Sequence, residues 1–277
     1  MNIKYLLLRA IRHRLPENLA RTLLRKGIII RPGLETREPA QAVARYSAYF
    51  GEQRLTFKEQ HVLVFGYGGS LAVAVELLRT GCKHVTVCDL YPPVDRHLND
   101  NLLTAYGQYL QMEGGAVTAR PEWITTFHGD IRNLPDSIQL GPFNMVVSSS
   151  VYEHLGDVDG ITKALASLLK PTGHALTFID LRDHYFAYPF EMLCYSENTW
   201  RNWLNPTSNL NRFRVRDYRQ VFERYFGKNQ INIMERDPEN FAKIKRRIRT
   251  EFKSGDDSED AVTLIAVLST DSLHRKD

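Results

Sequence analysis

Apolar residues fall along this chain in short, β-branched runs separated by stretches with helical spacing. The runs "HVLVF" (61–65), "HVTVCDL" (84–90), "FNMVVSS" (143–149) and "HALTFIDL" (174–181) predict strands, and a shorter one is expected near 123–127. A helical pattern over 38–50 precedes the first strand. "LAVAVELLRTG" reads as a helix closed by Gly81, "PPVDRHLNDNLLTAYGQYLQME" as one long helix opened by its proline pair, and "VDGITKALASLL" as a third. Strands alternating with helices predict an α/β, doubly wound, mostly parallel sheet, and continuous apolar strands predict one buried on both faces. "QINIME" and "AVTLIAVLS", on either side of the basic helix "ENFAKIKRRIRTEF", predict a final strand pair with an antiparallel edge.

Two segments interrupt this rhythm. Residues 184–226 are rich in aromatics and asparagine and predict a helical cap inserted over a ligand site, whereas "TDSLHRKD" reads as a frayed tail. The expected organisation is a helical arm over 1–55, a main domain over 56–270 that includes the cap, and a tail over 271–277. Charge sharpens the first boundary. Through Arg31 the chain carries Lys4, Arg9, Arg12, Arg14, Arg21, Arg25, Lys26 and Arg31 against Glu17 alone, a charge of +7 that leaves −3 for the rest of a +4 chain. An acidic body argues against nucleic-acid binding. The basic arm suits a lid over the body, an anionic membrane surface or a partner protein. The apolar run at 5–8 is too short to span a bilayer. Three cysteines without a C-x-x-C spacing suggest neither disulfides nor a zinc site, so a reducing cytoplasm is the expected compartment.

Strand, glycine loop and helix in "HVLVFGYGGSLAVAVELL" describe a nucleotide-type cofactor site. A dinucleotide loop needs a third glycine where Leu71 stands. Asp89 ends the second strand, suitably placed for ribose hydroxyls in either kind of cofactor. Further along come "FHGDIRNLP", "FNMVVSSSVYEHL" and "LLKPTGHALTFID". In this order, and over about 62–180, the set resembles the class I S-adenosylmethionine-dependent methyltransferases, with a cap similar to that of bacterial glycan- and polysaccharide-associated members. The resemblance implies a Rossmann-like seven-stranded fold with S-adenosylmethionine across the strand ends. It implies that Gly66, Tyr67 and Gly68 approach the amino-acid end of the cofactor, Asp89 and Leu90 the ribose, Asp130 and Ile131 the adenine, and Ser148 and Ser149 the methionine side. The sequence departs from the family at Val64, where an acid is usual, at Ser70 in place of a glycine, and at Asn144 in place of aspartate.

Methyl transfer requires alignment, and a base only when the acceptor is a hydroxyl or a protonated amine. His154 and His184 are the candidate bases. Tyr185, Tyr195, Trp200 and Arg212 are the candidate contacts for a small-molecule or glycan-type acceptor, with Asn209 and Asn211 as further polar anchors. Asp180, Asp183 and His184 could suggest a metal, but without a partner elsewhere in the sequence no metal is expected. Two rival readings share the loop: a nicotinamide-dependent oxidoreductase, and a cofactor-binding relative without turnover.

Overall fold

The computed structural model describes residues 2–14, 38–90, 94–133, 140–184 and 187–273. Seven strands form one sheet in the order β5-β2-β1-β6-β7-β9-β8: β1 (His61–Phe65), β2 (His84–Asp89), β5 (Ile124–His128), β6 (Phe143–Ser149), β7 (Leu169–Asp180), β8 (Phe226–Arg236) and β9 (Val262–Ser272). The first five are parallel, and β9 runs antiparallel to both β7 and β8. Strand order reverses between β1 and β6, so the carboxyl ends of β1, β2, β6 and β7 open on the crevice where such sheets bind ligands.

Alternation along the strands divides the core in two. Val62 and Val64 of β1 point to one face, where they meet α2 (Pro39–Glu52) and α3 (Ala72–Arg79) through Val43, Tyr46, Phe50, Leu71 and Leu77. Leu63 and Phe65 point to the other, toward α4 (Val158–Leu168) and α5 (Val215–Tyr225) through Ile161, Leu165, Tyr218 and Phe222. The cap has its own apolar centre of Phe190, Leu193, Trp200, Leu204 and Leu210.

Three local expectations change. The long helix expected over 92–113 is two short turns, Arg96–Asn99 and Leu102–Tyr106, followed by a hairpin of β3 (Leu110–Glu113) and β4 (Ala116–Ala119). Its turn is Gly114-Gly115, both at positive φ, which favours a hairpin over continued helix. The basic helix stops at Ile244, and the expected tail begins inside β9, which runs to Ser272 against Phe226.

Within the described part of the arm, two cations turn inward while Lys4 and Arg14 stay exposed. In α1 (Ile3–Arg14) Tyr5, Arg9 and Arg12 are buried, while Ile3, Leu7 and Ile11 point outward, 55–73% exposed. The helix lies against the turn Trp200–Leu204 of the cap. Arg9 forms a buried ion pair with Asp183, whose other carboxylate oxygen accepts from the Tyr5 hydroxyl at 2.5 Å. The Arg9 guanidinium also sits over the Trp200 ring at 5.1 Å.

At the opposite end of the sheet, His61 is wedged between Phe143 and His84 and contacts Thr86 Oγ1 at 3.0 Å. Burial first, then His84 and nearby lysines, push its pKa down to about 4. An unfolded imidazole titrates near 6.5. The stability held by neutral His61 is therefore complete above about pH 6.5 and is lost as pH falls toward 4. Thermal melts across that range should show Tm falling with acid, and His61→Gln should flatten the fall; an unchanged slope would contradict this assignment.

Candidate active site

The glycine loop is built by backbone conformation. Gly66, Gly68 and Gly69 all adopt positive φ, a region costly for other residues. Gly66 has a second reason: a Cβ there would lie 2.1 Å from Val151 Cγ2, because β6 passes close behind the loop. At Gly68 a Cβ would meet nothing within 4 Å, so this peptide faces open space, as a cradle for a ligand should. The Gly68 N–H donates to Asp89 Oδ2 at 3.1 Å, joining the loop to the end of β2. Beside them the Tyr67 hydroxyl is pushed up to about 12 by burial and then by Asp89. Leu90 stays exposed.

Sequence reasoning missed Asn99. Its buried amide accepts from Leu71 N–H at 2.8 Å and donates to Gly69 O at 2.8 Å and Asp95 O at 2.6 Å, so it fixes both the loop and the first turn of α3. The only sequence sign was an asparagine ending the short turn Arg96–Asn99. Leu71, fully buried, serves as core instead of the third dinucleotide glycine.

The adenine candidates lie after β5. Ile131 is buried against Phe127 and the sheet. Asp130 pairs with Arg132, whose hydrogen bonds hold its carboxyl below the usual range, and Arg132 reaches on to Asp157. At the end of β6, Ser148 Oγ is buried without a hydrogen-bond partner among the described residues, and Ser149 Oγ lies 2.9 Å from Tyr46 Oη and 3.3 Å from Arg45. Arg45 stacks over Phe178 at 3.9 Å. Thus α2 brings a cation to the strand end, near the course of β1 where Val64 replaces the usual acid. Asn144 does not belong here. It lies at the amino end of β6, accepting from His61 N–H and Lys170 Nζ, both at 3.1 Å, roughly five residues or 17 Å of strand from the crevice.

On the other side of the crevice, His154 and His184 meet with ring centroids 4.8 Å apart. Burial lowers the pKa of both, that of His184 well below the ordinary value, so both imidazoles are neutral. Glu153, buried, completes the group: one ligand atom from each of the three lies within 4.8 Å of the others. Asp180 binds Arg182 instead, and Asp183 binds Arg9.

The cap residues proposed as acceptor contacts occupy structural positions. Trp200 is buried and its indole N–H donates to Leu210 O at 3.0 Å. Arg212, also buried, donates to Met192 O and Tyr195 O and pairs with Glu197, clamping the cap together. Tyr195 stacks on Tyr5 at 5.8 Å, so this half-buried ring holds α1. Asn209 and Asn211 face inward rather than toward an acceptor: Asn209 Nδ2 donates to His154 O, and Asn211 Nδ2 to Tyr152 O and Leu155 O. Tyr185 lies outside the described residues.

With the site in view, a family model described as a methyltransferase domain matches residues 12–225. The chain belongs to this methyltransferase family. The match decides against the nicotinamide reading: the chain is a class I methyltransferase, an enzyme whose cofactor is S-adenosylmethionine. An O-methyltransferase family protein from Burkholderia thailandensis has the same fold, with a TM-score of 0.52 at 11% identity over 94% of this chain and 61% of the other. An S-adenosylmethionine-dependent methyltransferase from Mesorhizobium loti aligns at 14% identity with a TM-score of 0.46, over 83% of this chain and 99% of the other. No curated protein matches the sequence. The methyltransferase residues fit the cofactor: an open glycine cradle, a carboxylate at the end of β2, and a buried serine hydroxyl with unfilled hydrogen-bonding capacity. Among the described residues no helix is long and apolar enough to cross a membrane.

Proposed function

We propose that this methyltransferase acts at a hydroxyl of a small-molecule or glycan-type acceptor held between the crevice and α1. The observation that carries the reading is the pair of neutral imidazoles, His154 and His184, at the carboxyl ends of β6 and β7, where an acceptor hydroxyl would need a proton acceptor. When bound, the cofactor supplies a methyl group already activated on a sulfonium. The protein's part is to bind, orient and exclude water. The backbone of Gly66, Tyr67 and Gly68 would receive the amino-acid end, with Ser148 and Ser149 beside it. Arg45 and Tyr46 would add a contact to the cofactor's carboxylate from α2. Asp89, with Leu90, would release its bond to Gly68 for the ribose hydroxyls. Asp130 and Ile131 would hold the adenine. His154 carries its proton on Nδ1, which donates to Asn209 O at 2.8 Å, so Nε2 is the atom that can accept. Tyr195, Trp200 and Arg212 would shape the acceptor space by fixing α1 and the cap rather than by stacking on a sugar.

Outside the site, Ile3, Leu7 and Ile11, flanked by exposed Lys4 and Arg14, support a peripheral contact of α1 with a membrane surface or partner. The buried thiols Cys82 and Cys88 suit a reducing cytoplasm.

Labelled methyl transfer from S-adenosylmethionine into pooled hydroxyl-bearing glycans and small molecules tests the acceptor class. Base-stable ether products are expected; label confined to amines would contradict it. Asp89→Ala should cost about 2 kcal/mol of S-adenosylhomocysteine binding, roughly 30-fold, since a charge-assisted acceptor is lost. Calorimetric titration reads that difference.

A further inference from the structure

Glu153, His154 and His184 reach one point from two chain segments. The first two sit on the turn Tyr152–His154 after β6, and the third follows β7. Neighbouring strand ends thus supply His184 with the partners that the spacing of Asp180, Asp183 and His184 lacks. Two imidazoles and one carboxylate within 4.8 Å of one another form the donor set that suits a divalent first-row transition ion. Hard ions that prefer oxygen ligands alone fit it less well.

The surroundings are those of an oriented ligand set. A metal-binding histidine normally donates its other ring N–H to a carbonyl or carboxylate, which fixes its tautomer and orientation. His154 does so: Nδ1 lies 2.8 Å from Asn209 O and 3.1 Å from Ser208 O, and a carbonyl only accepts. That leaves the Nε2 lone pair to give. Asn209 adopts positive φ while making this contact and returns its Nδ2 to His154 O at 2.9 Å, gripping the residue twice. Asn211 N–H donates to Glu153 O at 2.9 Å, so the same strap holds the turn carrying the carboxylate. Arg9, Arg12 and Arg182 all face the imidazoles, and the charge of Arg9 is matched by Asp183 and that of Arg182 by Asp180.

We infer that Glu153, His154 and His184 bind one divalent transition-metal ion at the acceptor side of the crevice, with its remaining coordination positions open to oxygen ligands of the acceptor. The inference rests on and deepens the proposed hydroxyl chemistry: both histidines would then be ligands, and the ion rather than an imidazole would acidify the acceptor hydroxyl, whose proton would pass to water.

The test uses the full chain, stripped with a chelator and titrated with Co2+ while visible d–d absorption and bound metal are measured. One Co2+ per chain is expected, with contact-shifted N–H proton signals from two imidazoles. His184→Ala and Glu153→Gln should each weaken binding by roughly 100-fold or more, and Asn209→Ala by about 10-fold, as expected for removal of a second contact layer. Circular dichroism and S-adenosylhomocysteine binding by each variant separate ligand loss from unfolding. If the wild type retains no more Co2+ than the folded His154→Ala/His184→Ala double variant, or if Co2+ absorption carries no imidazole signature, the metal site is overturned. S-adenosylhomocysteine binding without Co2+ binding removes only the metal; Co2+ binding without methyl transfer to any hydroxyl removes only the acceptor reading.

Discussion

Gly66→Ala should abolish S-adenosylhomocysteine binding and destabilise the protein by about 3 kcal/mol. Two costs add. A left-handed backbone at φ +81° costs an L-residue about 1–2 kcal/mol, and the new Cβ would overlap Val151 Cγ2, a contact that forces movement of the loop or of β6's exit turn. The two can be separated. Val151→Ala removes the obstructing methyls, so the double variant should recover the steric part in thermal melts while keeping the backbone cost. Gly68→Ala supplies the contrast: it has a positive φ but open space, so it should lose mainly cofactor affinity. Equal destabilisation by the two glycine substitutions would contradict the packing argument.

Asp183→Ala is the second large expectation. It removes the carboxylate that neutralises Arg9 and accepts from Tyr5 in a fully buried position. Leaving a buried charge without its partner typically costs about 3–5 kcal/mol. Here the molecule has a cheaper escape: α1 can leave the cap and return Arg9 to water. The expected result is therefore loss of hydrogen-exchange protection over α1 and cleavage by trypsin at Arg9 or Arg12, with the sheet domain still cooperative in melts. Removing both partners, as Arg9→Met/Asp183→Leu, should restore much of the stability, because an apolar pair avoids the desolvation cost. Protection of α1 in Asp183→Ala equal to wild type would show that the ion pair does not hold the arm.

The contrast between these sites explains what was legible in the sequence. Strands β1, β2 and β6 could be read almost residue by residue because continuous β-branched runs have few alternatives, whereas β7 begins at Leu169, five residues before the expected run; the loop was readable because its glycines serve backbone geometry. The hairpin β3–β4 was hidden inside an apparent helix, since "YGQYLQME" has no clear period and only Gly114-Gly115 marks the turn. The basic arm agrees with the lid expected of it in α1, but the contacts that hold it were not visible in the sequence. Composition shows a cationic segment, yet Arg12 is buried and Arg9 turns inward to Asp183 and Trp200, which lie more than 170 residues away along the chain. Trp200 and Arg212 show the same effect. Aromatic and cationic residues that look like ligand contacts in a linear reading are here consumed in holding the cap, a role set by tertiary neighbours. Glu153 was missed as a site residue for the converse reason: its significance depends on His184 arriving from the next strand.

We propose that the glycine loop, Asp89 and the strand ends around them hold S-adenosylmethionine. Calorimetric titration of the full chain with S-adenosylhomocysteine tests it most directly. Saturable one-to-one binding, weakened roughly 30-fold by Asp89→Ala and lost in Gly66→Ala, is the predicted result. Absence of binding by the folded wild type, or binding unchanged in both variants, would contradict the account.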